Sequence, residues 1–173
     1  MIIINNADNP DLVNLQNLSR ETFTETFGHL YSNENLEYHL AKTCSAQYFA
    51  EKLAEGNVIL LARDGSELAG YVKYGHLGLP LENGETGREI HRLYVRKAYQ
   101  RSGLGKRLME ATLADEILKS ADIFLGVWEN NIKALAFYMR YGFAPYGEYT
   151  YFVGTHADRE IIMRRAGSGT KQP

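Results

Sequence analysis

The sequence predicts an α/β domain with a mixed sheet of about seven strands. Its 173 residues are enough for one domain with one sizeable hydrophobic core. Apolar residues make up 45% of the chain and charged residues 23%, which is ordinary for a globular domain and excludes a fibrous or disordered chain. Helical and strand patterns follow one another in the order β, helices, β-β-β, α, β, α, β-β, and this order is typical of an α/β fold.

The N-terminal part is predicted to be a short strand followed by helices. The strand covers residues 2–4. Leucine and phenylalanine recur near helical spacing over 11–27, which predicts the first helix. A second helical stretch begins near Ser32 or Asn33, since either side chain can cap a helix. A third short helix is predicted over 46–55.

Three strands are predicted in the middle of the chain. The run Val-Ile-Leu-Leu-Ala-Arg at 58–63 has strand composition, and the Asp-Gly pair at 64–65 is a turn signal that leads into a second strand at 67–76. The segment 78–87 holds three glycines and a proline, so it is predicted to be a loop. The third strand follows at 88–96.

The last part of the chain is predicted to alternate helices and strands. Leucines on one side predict a helix over 104–119, although Asp115 interrupts the apolar stripe. The apolar run at 122–128 is typical of a buried strand, and 131–141 is predicted to be a helix. Two further strands are expected at about 146–153 and 158–164.

The chain is expected to form one domain over residues 1–165. The sequence shows no internal repeat and no linker that would separate a second domain. The segment 166–173 is small and polar, so we expect it to be a disordered tail.

Composition also limits the partners and the setting. Nineteen basic and twenty-one acidic residues give a formal net charge of −2, so we expect no nucleic-acid partner. The lone cysteine, Cys44, cannot form an intramolecular disulfide and fits a reducing compartment. No stretch approaches the roughly 20 apolar residues of a membrane span, and no signal peptide is recognisable. We therefore expect a cytoplasmic protein that does not bind a membrane.

A glycine-containing loop between a predicted strand and a predicted helix has the features of an anion site. Glycine lets the backbone approach a ligand closely, and a helix N-terminus offers unpaired N–H groups that suit a pyrophosphate. The Walker and Rossmann patterns do not fit, because one residue separates the glycines and Leu108 occupies the third Rossmann position. A turn that only caps the helix is the alternative. The loop residues are Gln100, Arg101, Ser102, Gly103, Leu104, Gly105 and Lys106.

The predicted helix at 131–141 places a polar group at each end of one face. Asn131 and Tyr138 are seven residues apart, so they share a face and lie about 10 Å apart along the axis. A ligand along this face would meet an amide at one end and a phenol at the other. The alternative is a helix cap and a core aromatic, both of which are common.

These two segments together resemble motif A and motif B of the GNAT superfamily of N-acetyltransferases. They occur in the order and at the separation usual for that family, and the resemblance covers most of the chain. Motif A is carried by Leu93-Tyr94-Val95 and by Gln100-Arg101-Ser102-Gly103-Leu104-Gly105, and motif B by Asn131, Ala134, Phe137, Tyr138, Gly142 and Phe143.

The resemblance implies a mostly antiparallel sheet with helices on both faces, acetyl-CoA as the co-substrate, and no metal. Acetyl-CoA would lie where two central parallel strands, 88–96 and 122–128, splay apart and leave backbone groups that need partners. A strand N–H near Leu93 would polarise the thioester oxygen. The implied cofactor-binding residues are Leu93, Tyr94, Val95, Gln100, Arg101, Ser102, Gly103, Leu104, Gly105, Lys106, Asn131, Lys133 and Arg140.

The resemblance also implies direct attack of an amine on the thioester. An ammonium with a pKa near 10 must first lose its proton, so a base is needed. Glu89 is the first candidate by similarity, because it lies on the strand that often carries a catalytic glutamate in the family. His91, on the same strand face, and a water chain are the alternatives. Tyr138 would act as the general acid toward the departing thiolate.

A narrower resemblance concerns the acceptor. Residues 18–27, 89–95, 125–129 and 160–163 resemble the bacterial PaiA-type spermidine/spermine N-acetyltransferases, which implies a polyamine acceptor. Acidic side chains on the predicted N-terminal helices would suit a polycation, although a solvated helix face explains them equally well. These side chains are Glu21, Glu25, Glu34 and Glu37.

Other acceptors and one other class of function remain open. The tyrosines Tyr149 and Tyr151 fit an acceptor site or a sheet face equally well. Peptide or protein amines are possible acceptors on the same fold, and a CoA-binding regulatory module without catalysis is the alternative class. We expect a monomer or a homodimer.

Overall fold

The computed structural model describes residues 1–82 and 84–168, and it confirms the predicted α/β fold. Seven strands form one sheet in the order β1-β2-β3-β4-β5-β7-β6. The strands are β1 (Ile2–Asn6), β2 (Val58–Asp64), β3 (Glu67–His76), β4 (Arg88–Val95), β5 (Ile123–Trp128), β6 (Ala144–Val153) and β7 (His156–Arg165).

Helices cover both faces of this sheet, as the resemblance implied. Leu15 and Leu18 pack with Ile59 and Leu61 on one face, whereas Leu108 packs in a second apolar cluster on the other face. The alternation of β2 side chains between the two clusters follows from the two-residue period of a strand. The helices are α1 (Leu12–Phe27), α2 (Asn33–Thr43), α3 (Ala46–Ala54), α4 (Leu104–Leu113), α5 (Glu116–Lys119) and α6 (Ile132–Met139).

The one parallel pair of described strands, β4 and β5, is paired over a short length only. Arg88 is opposite Ile123 and Glu89 is opposite Phe124, and no further pairing follows. Beyond Glu89, β4 keeps its antiparallel pairing with β3, and β5 keeps its pairing with β7. The two strands therefore splay apart, and the facing backbone edges are left open. This confirms the splayed central pair.

A β-bulge lies in β4 at the start of the splayed part. Lys73 of β3 pairs with Arg92, whereas the next residue, Tyr74, pairs with Ile90. His91 is therefore the extra residue of the bulged strand. The extra residue lets the side chains of His91 and Arg92 leave the same face of the sheet, which is also the face of Glu89, two residues before His91.

The structure corrects the predicted helix at 104–119. Helix α4 ends at Leu113, and a separate short helix, α5, begins after Asp115. Asp115 causes the break because its carboxylate accepts the N–H of Ile117 at 3.0 Å and the hydroxyl of Tyr74 at 2.6 Å. The aspartate that interrupted the apolar stripe is thus an N-cap.

Residues 166–168 lie against the segment that precedes β5. The Gly167 N–H donates to the Asp122 carboxylate at 2.8 Å, and Gly167 is buried. The rest of the predicted tail, 169–173, lies outside the described residues. Among the helices of the described part, none is long and apolar enough to cross a membrane.

Candidate active site

A cleft of about 690 Å³ opens where β4 and β5 separate. One half, which we call the loop half, lies beside α4 and α6 and is lined by Gln100, Gly105 and Asn131. The other, which we call the tyrosine half, is bounded by α1, α3 and the β6–β7 hairpin. Its lining includes Tyr31, Tyr48, Lys73, Arg92, Tyr149, Tyr151, Asp158 and Glu160.

The loop before α4 has the backbone shape of an anion cradle. Arg101 has a φ of 64° and Gly103 a φ of 83°, so two residues close together adopt the left-handed conformation. Successive backbone N–H groups in such a turn point into one concavity. Gly103, the N-cap of α4, provides no side-chain cap, which leaves the first N–H groups of the helix available to an anion.

Two side-chain contacts hold this loop in place. The Gln100 amide donates to the carbonyl of Val95 at 3.1 Å, and the Ser102 hydroxyl donates to the carbonyl of Tyr99 at 2.6 Å. Both side chains bond to backbone carbonyls, so they hold the shape of the cradle without using its N–H groups.

The structure brings seven of the predicted cofactor residues to the cleft and places six elsewhere. The seven that line it are Leu93, Tyr94, Val95, Gln100, Gly105, Asn131 and Lys133. The exposed cradle contains Arg101, Ser102 and Gly103. Lys106 and Arg140 line a separate depression of about 290 Å³. The Leu104 side chain is in the core, only 1% exposed, so a role in binding is limited to its backbone.

Asn131 and Tyr138 occupy the two ends of α6 as the spacing predicted. The Asn131 side chain caps the helix by accepting the Ala134 N–H at 3.2 Å. Tyr138 lines the cleft and packs edge-on against Phe137 and Phe143. Burial raises the pKa of the Tyr138 phenol, and no described side chain bonds to it. The hydroxyl therefore stays protonated and remains free to donate.

Glu89 and His91 form a hydrogen-bonded pair on the floor of the cleft. Glu89 Oε1 lies 3.0 Å from His91 Nδ1, and Glu89 Oε2 accepts the Gly78 N–H at 2.8 Å. The second ring nitrogen of His91, Nε2, is buried, and no described group bonds to it. Both predicted base candidates thus lie together, held by a loop residue.

The tyrosine half carries two acidic groups that are bonded to tyrosines. Tyr149 donates to Glu160 and Tyr31 donates to Asp158, each at 2.6 Å. Burial is the largest influence on the pKa of Glu160 and raises it. A Cβ at Gly126 of β5 would lie 2.5 Å from Glu160 Oε2, so a larger residue there would displace this pair.

The acidic wall expected from the N-terminal helices is largely absent from the cleft. Glu25 lines it, but Glu21 pairs with Arg96 at 2.9 Å and Glu37 pairs with Arg20 at 2.7 Å. These contacts lie on the outer surface, in agreement with the solvated-face alternative. Glu34 is exposed and does not line the cleft.

Two basic residues in the tyrosine half, Lys73 and Arg92, were missed by sequence reasoning. Lys73 is 2% exposed, and its Nζ donates to the Tyr48 hydroxyl at 2.7 Å. Burial, followed by the charge of Arg92, lowers the pKa of Lys73 to about 7. A lysine inside a strand with apolar and tyrosine neighbours was the signal that could have revealed this group.

The cleft fits acetyl-CoA on two observations. Beyond Glu89, the edge of β4 facing β5 pairs with no strand of the described residues. The two left-handed residues, Arg101 and Gly103, make a cradle for a pyrophosphate at one end of that edge. Within the described part of the chain, no group of three or more His, Cys, Asp or Glu side chains is placed to hold a metal.

The comparisons with known proteins agree with this fit. Residues 12–143 match the Acetyltransferase (GNAT) family, so the chain belongs to this family. It is an acetyl-CoA-dependent N-acetyltransferase.

Three individual proteins illustrate the similarity. The chain is 32% identical to an uncharacterized N-acetyltransferase of Lactobacillus delbrueckii subsp. lactis, over 90% of this chain and 92% of that protein. It is 35% identical to the spermine/spermidine N(1)-acetyltransferase of Bacillus subtilis, over 47% of this chain and 56% of that enzyme. The PaiA N-acetyltransferase of Thermoplasma acidophilum, solved in complex with coenzyme A, superposes with a TM-score of 0.72 at 22% identity, covering 96% of this chain and 99% of that one.

Proposed function

We propose that this enzyme transfers the acetyl group of acetyl-CoA to a small primary amine by direct attack. One observation carries the proposal: a single cleft joins the open edge of β4, the Glu89–His91 pair and the unbonded Tyr138 hydroxyl. A cofactor edge, a base and an acid are the parts that such a transfer needs.

The open edge and the cradle would hold the cofactor. The backbone of Leu93, Tyr94 and Val95 offers N–H and C=O groups to the pantetheine amides, since no described strand pairs with that side of β4 there. The cradle from Arg101 to Lys106 would bind the pyrophosphate. Lys133, exposed at the rim of the cleft, and Asn131 would lie beside it. When bound, the cofactor supplies an acetyl thioester to the floor of the cleft.

The Glu89–His91 pair would take the proton from the attacking amine. A proton that arrives at either group can be shared across the 3.0 Å contact between Oε1 and Nδ1. The Gly78 N–H holds the other carboxylate oxygen, so the pair is fixed before the substrate arrives. Glu89 and His91 are thus proposed to act as one unit.

Tyr138 would donate its proton toward the departing sulfur. Its raised pKa keeps the phenol protonated at neutral pH, which is the state that a donor needs. Its position on α6, on the cofactor side of the cleft, suits a contact with the sulfur rather than with the amine.

A polyamine is the acceptor that the sequence predicted, and two observations support it. The Bacillus subtilis relative is named as a spermine/spermidine acetyltransferase, and Glu25, Asp158 and Glu160 place carboxylates along the cleft. The basic residues Lys73 and Arg92 in the same half oppose a polycation. The proposed class is therefore the small primary amine, and the polyamine is one member to test.

A panel of amines tests the proposal. Thiol release from acetyl-CoA would be followed with spermidine, spermine, putrescine, amino acids and short peptides. A saturable rate with a small amine supports the proposal. Selectivity for peptides would show that the acceptor is a peptide amine and not a small amine. Binding of coenzyme A without any turnover would favour the regulatory module.

A further inference from the structure

Lys73 and Arg92 are neighbouring cations in the tyrosine half of the cleft. They are directly opposite each other in the β3–β4 pairing, so their side chains leave the same face of the sheet. Both line the cleft, Lys73 as a buried residue and Arg92 as a half-buried one. Like charges directly opposite each other destabilise a sheet, and burial adds to the cost. A fold that contains such a pair therefore either compensates the two charges or uses them in a function.

No carboxylate of the described chain forms a direct ion pair with either cation. Within residues 1–82 and 84–168, the ion pairs shorter than 4.0 Å involve other basic groups, and the Lys73 ammonium contacts the Tyr48 hydroxyl at 2.7 Å instead. Glu89 and Glu55 each raise the pKa of Lys73, but without an ion-pair contact to its ammonium. Buried charges are normally paired, so two adjacent cations without a carboxylate beside a cleft are the signature of a place for an external anion.

Arg92 also has a structural role, which is distinct from binding. One of its terminal nitrogens, Nη1, donates to the Thr43 carbonyl at 2.8 Å, at the end of α2, and lies 3.3 Å from Ser19 Oγ. Arg92 therefore ties β4 to two helices, whereas the ammonium of Lys73 bonds to the tip of one tyrosine ring. Lys73 is the residue whose charge can be removed with less structural damage.

We propose that Lys73 and Arg92 form an anion subsite that binds a carboxylate of the acceptor. This inference rests on the proposed acetyl transfer and narrows its substrate class to amines that also carry a carboxylate, such as free amino acids. The reacting amine would lie at the Glu89–His91 pair, and the carboxylate would lie at the cation pair.

The spacing fits a small zwitterion. Arg92 directly follows His91 in β4, and the bulge at His91 lets both side chains leave the same face of the sheet. Strand residues rise about 3.3 Å each, so the two sites are a few ångströms apart along the strand. An α-amino acid separates its amine and carboxylate by a similar distance. A polyamine would instead bring a second ammonium toward Lys73 and Arg92, which already repel each other as like charges.

Matched acceptor pairs test the inference. Each pair differs only in the carboxylate: lysine against 1,5-diaminopentane, leucine against 3-methylbutylamine, and phenylalanine against phenethylamine. We expect kcat/KM to favour the amino acid in each reactive pair by about tenfold to a hundredfold, as for a hydrogen bond to a charged group. A decarboxylated amine or spermidine that reacts as well as the amino acid would overturn the inference.

Two variants show whether the preference for amino acids depends on the Lys73–Arg92 pair. Lys73→Met removes the charge and keeps a side chain of similar length. We expect the ratio of kcat/KM for the amino acid to kcat/KM for the matched amine to fall close to one. Lys42→Met is the matched control, because Lys42 is exposed on α2 and does not line the cleft. An unchanged preference in Lys73→Met would overturn the inference, even if the enzyme acetylates amino acids.

A binding measurement separates this inference from the proposed catalysis. Trp128, the only tryptophan in the chain, lines the cleft, so its fluorescence reports on ligands there. Leucine and 3-methylbutylamine would each be titrated into the enzyme with coenzyme A bound. Tighter binding of leucine, lost in Lys73→Met, supports the subsite even if no amine is acetylated. Equal binding of both, or binding of neither, would overturn it.

Discussion

The Glu89 carboxylate is bonded on both sides, to His91 Nδ1 at 3.0 Å and to the Gly78 N–H at 2.8 Å. The two-residue period of β4 places Glu89 and His91 on one face and allows the first contact, and the long loop before β4 provides the second. A carboxylate that is fixed in this way orients the imidazole without further reorganisation. We therefore expect the two residues to behave as one functional unit.

Substitution of the pair tests this unit. We expect Glu89→Gln and His91→Gln each to lower kcat by ~10²-fold, within the usual range for general base catalysis. The double variant should lose little more than either single variant, because residues that act together are not additive. Steady-state rates of thiol release measure all three. Losses that multiply in the double variant would show that the two residues act independently.

Tyr138→Phe tests the proposed acid. The change removes one hydroxyl that has no described hydrogen-bond partner, so the packing of the ring should be preserved. We expect kcat to fall by ~10²-fold or more, while the affinity for coenzyme A stays nearly unchanged. Calorimetric titration with coenzyme A is the control. Unchanged turnover would remove Tyr138 from the acid role.

Substitution of Gly105 tests whether the loop half of the cleft binds the cofactor. It lies in the first turn of α4 and lines the cleft, and a Cβ added there would meet its nearest neighbour, Val95 Cγ2, at 3.9 Å. Gly105→Leu should therefore fill the cofactor path and weaken coenzyme A binding by roughly tenfold or more, while the helix gains stability from the lost glycine. Gly105→Ala is the matched control and should keep most of the affinity.

The outcome that contradicts the Gly105 prediction is a leucine variant with normal coenzyme A affinity and a raised melting temperature. A substitution at Gly103 would be harder to interpret, because its φ of 83° strains the backbone of any other residue. A Cβ there would meet nothing within 4 Å, so a substitution would act through the backbone and not by filling the cradle.

Lys73→Met should stabilise the protein at acidic and neutral pH. Burial, then Arg92 and Lys52, lower the pKa of Lys73 from 10.5 to about 7, while Glu89 and Glu55 act in the opposite direction. Below pH 7 the folded protein must carry the buried charge, so the native chain is least stable there. Stability then rises with pH between about 7 and 10.5, where the unfolded chain binds more protons.

The gain from Lys73→Met should therefore be roughly 2–4 kcal/mol at pH 6 and should shrink toward pH 10. Tyr48, which receives the Lys73 hydrogen bond, faces the same group from α3. Urea unfolding at both pH values measures the difference. A variant that is less stable than the native protein at pH 6 would show that the Lys73 charge is compensated in the fold.

Local patterns in the sequence predicted most of the fold. The seven strands, the anion cradle and the Asn131–Tyr138 face depend on residues that are near one another in the chain. The break at Asp115 was signalled by the aspartate, but periodicity alone could not tell an exposed interruption from a cap. Its hydrogen bond from Tyr74, 41 residues away, depends on the tertiary fold.

The tyrosine half could not be predicted from the sequence in the same way. Lys73 and Arg92 meet only because of the β3–β4 register, which the bulge at His91 shifts by one residue. The acidic groups that line this half belong mainly to the β6–β7 hairpin and not to the N-terminal helices. Residues 73 and 92, or 31 and 158, carry no sequence signal of their pairing.

The rate of thiol release from acetyl-CoA with amine acceptors shows whether this cleft catalyses acetyl transfer. We predict a rate that saturates with both acetyl-CoA and a small primary amine, and that falls ~10²-fold in Tyr138→Phe. Acetylated amine should appear in equal amount to free thiol. Tight binding of coenzyme A without thiol release for any amine, peptides included, would contradict the claim and leave a domain that binds the cofactor without using it.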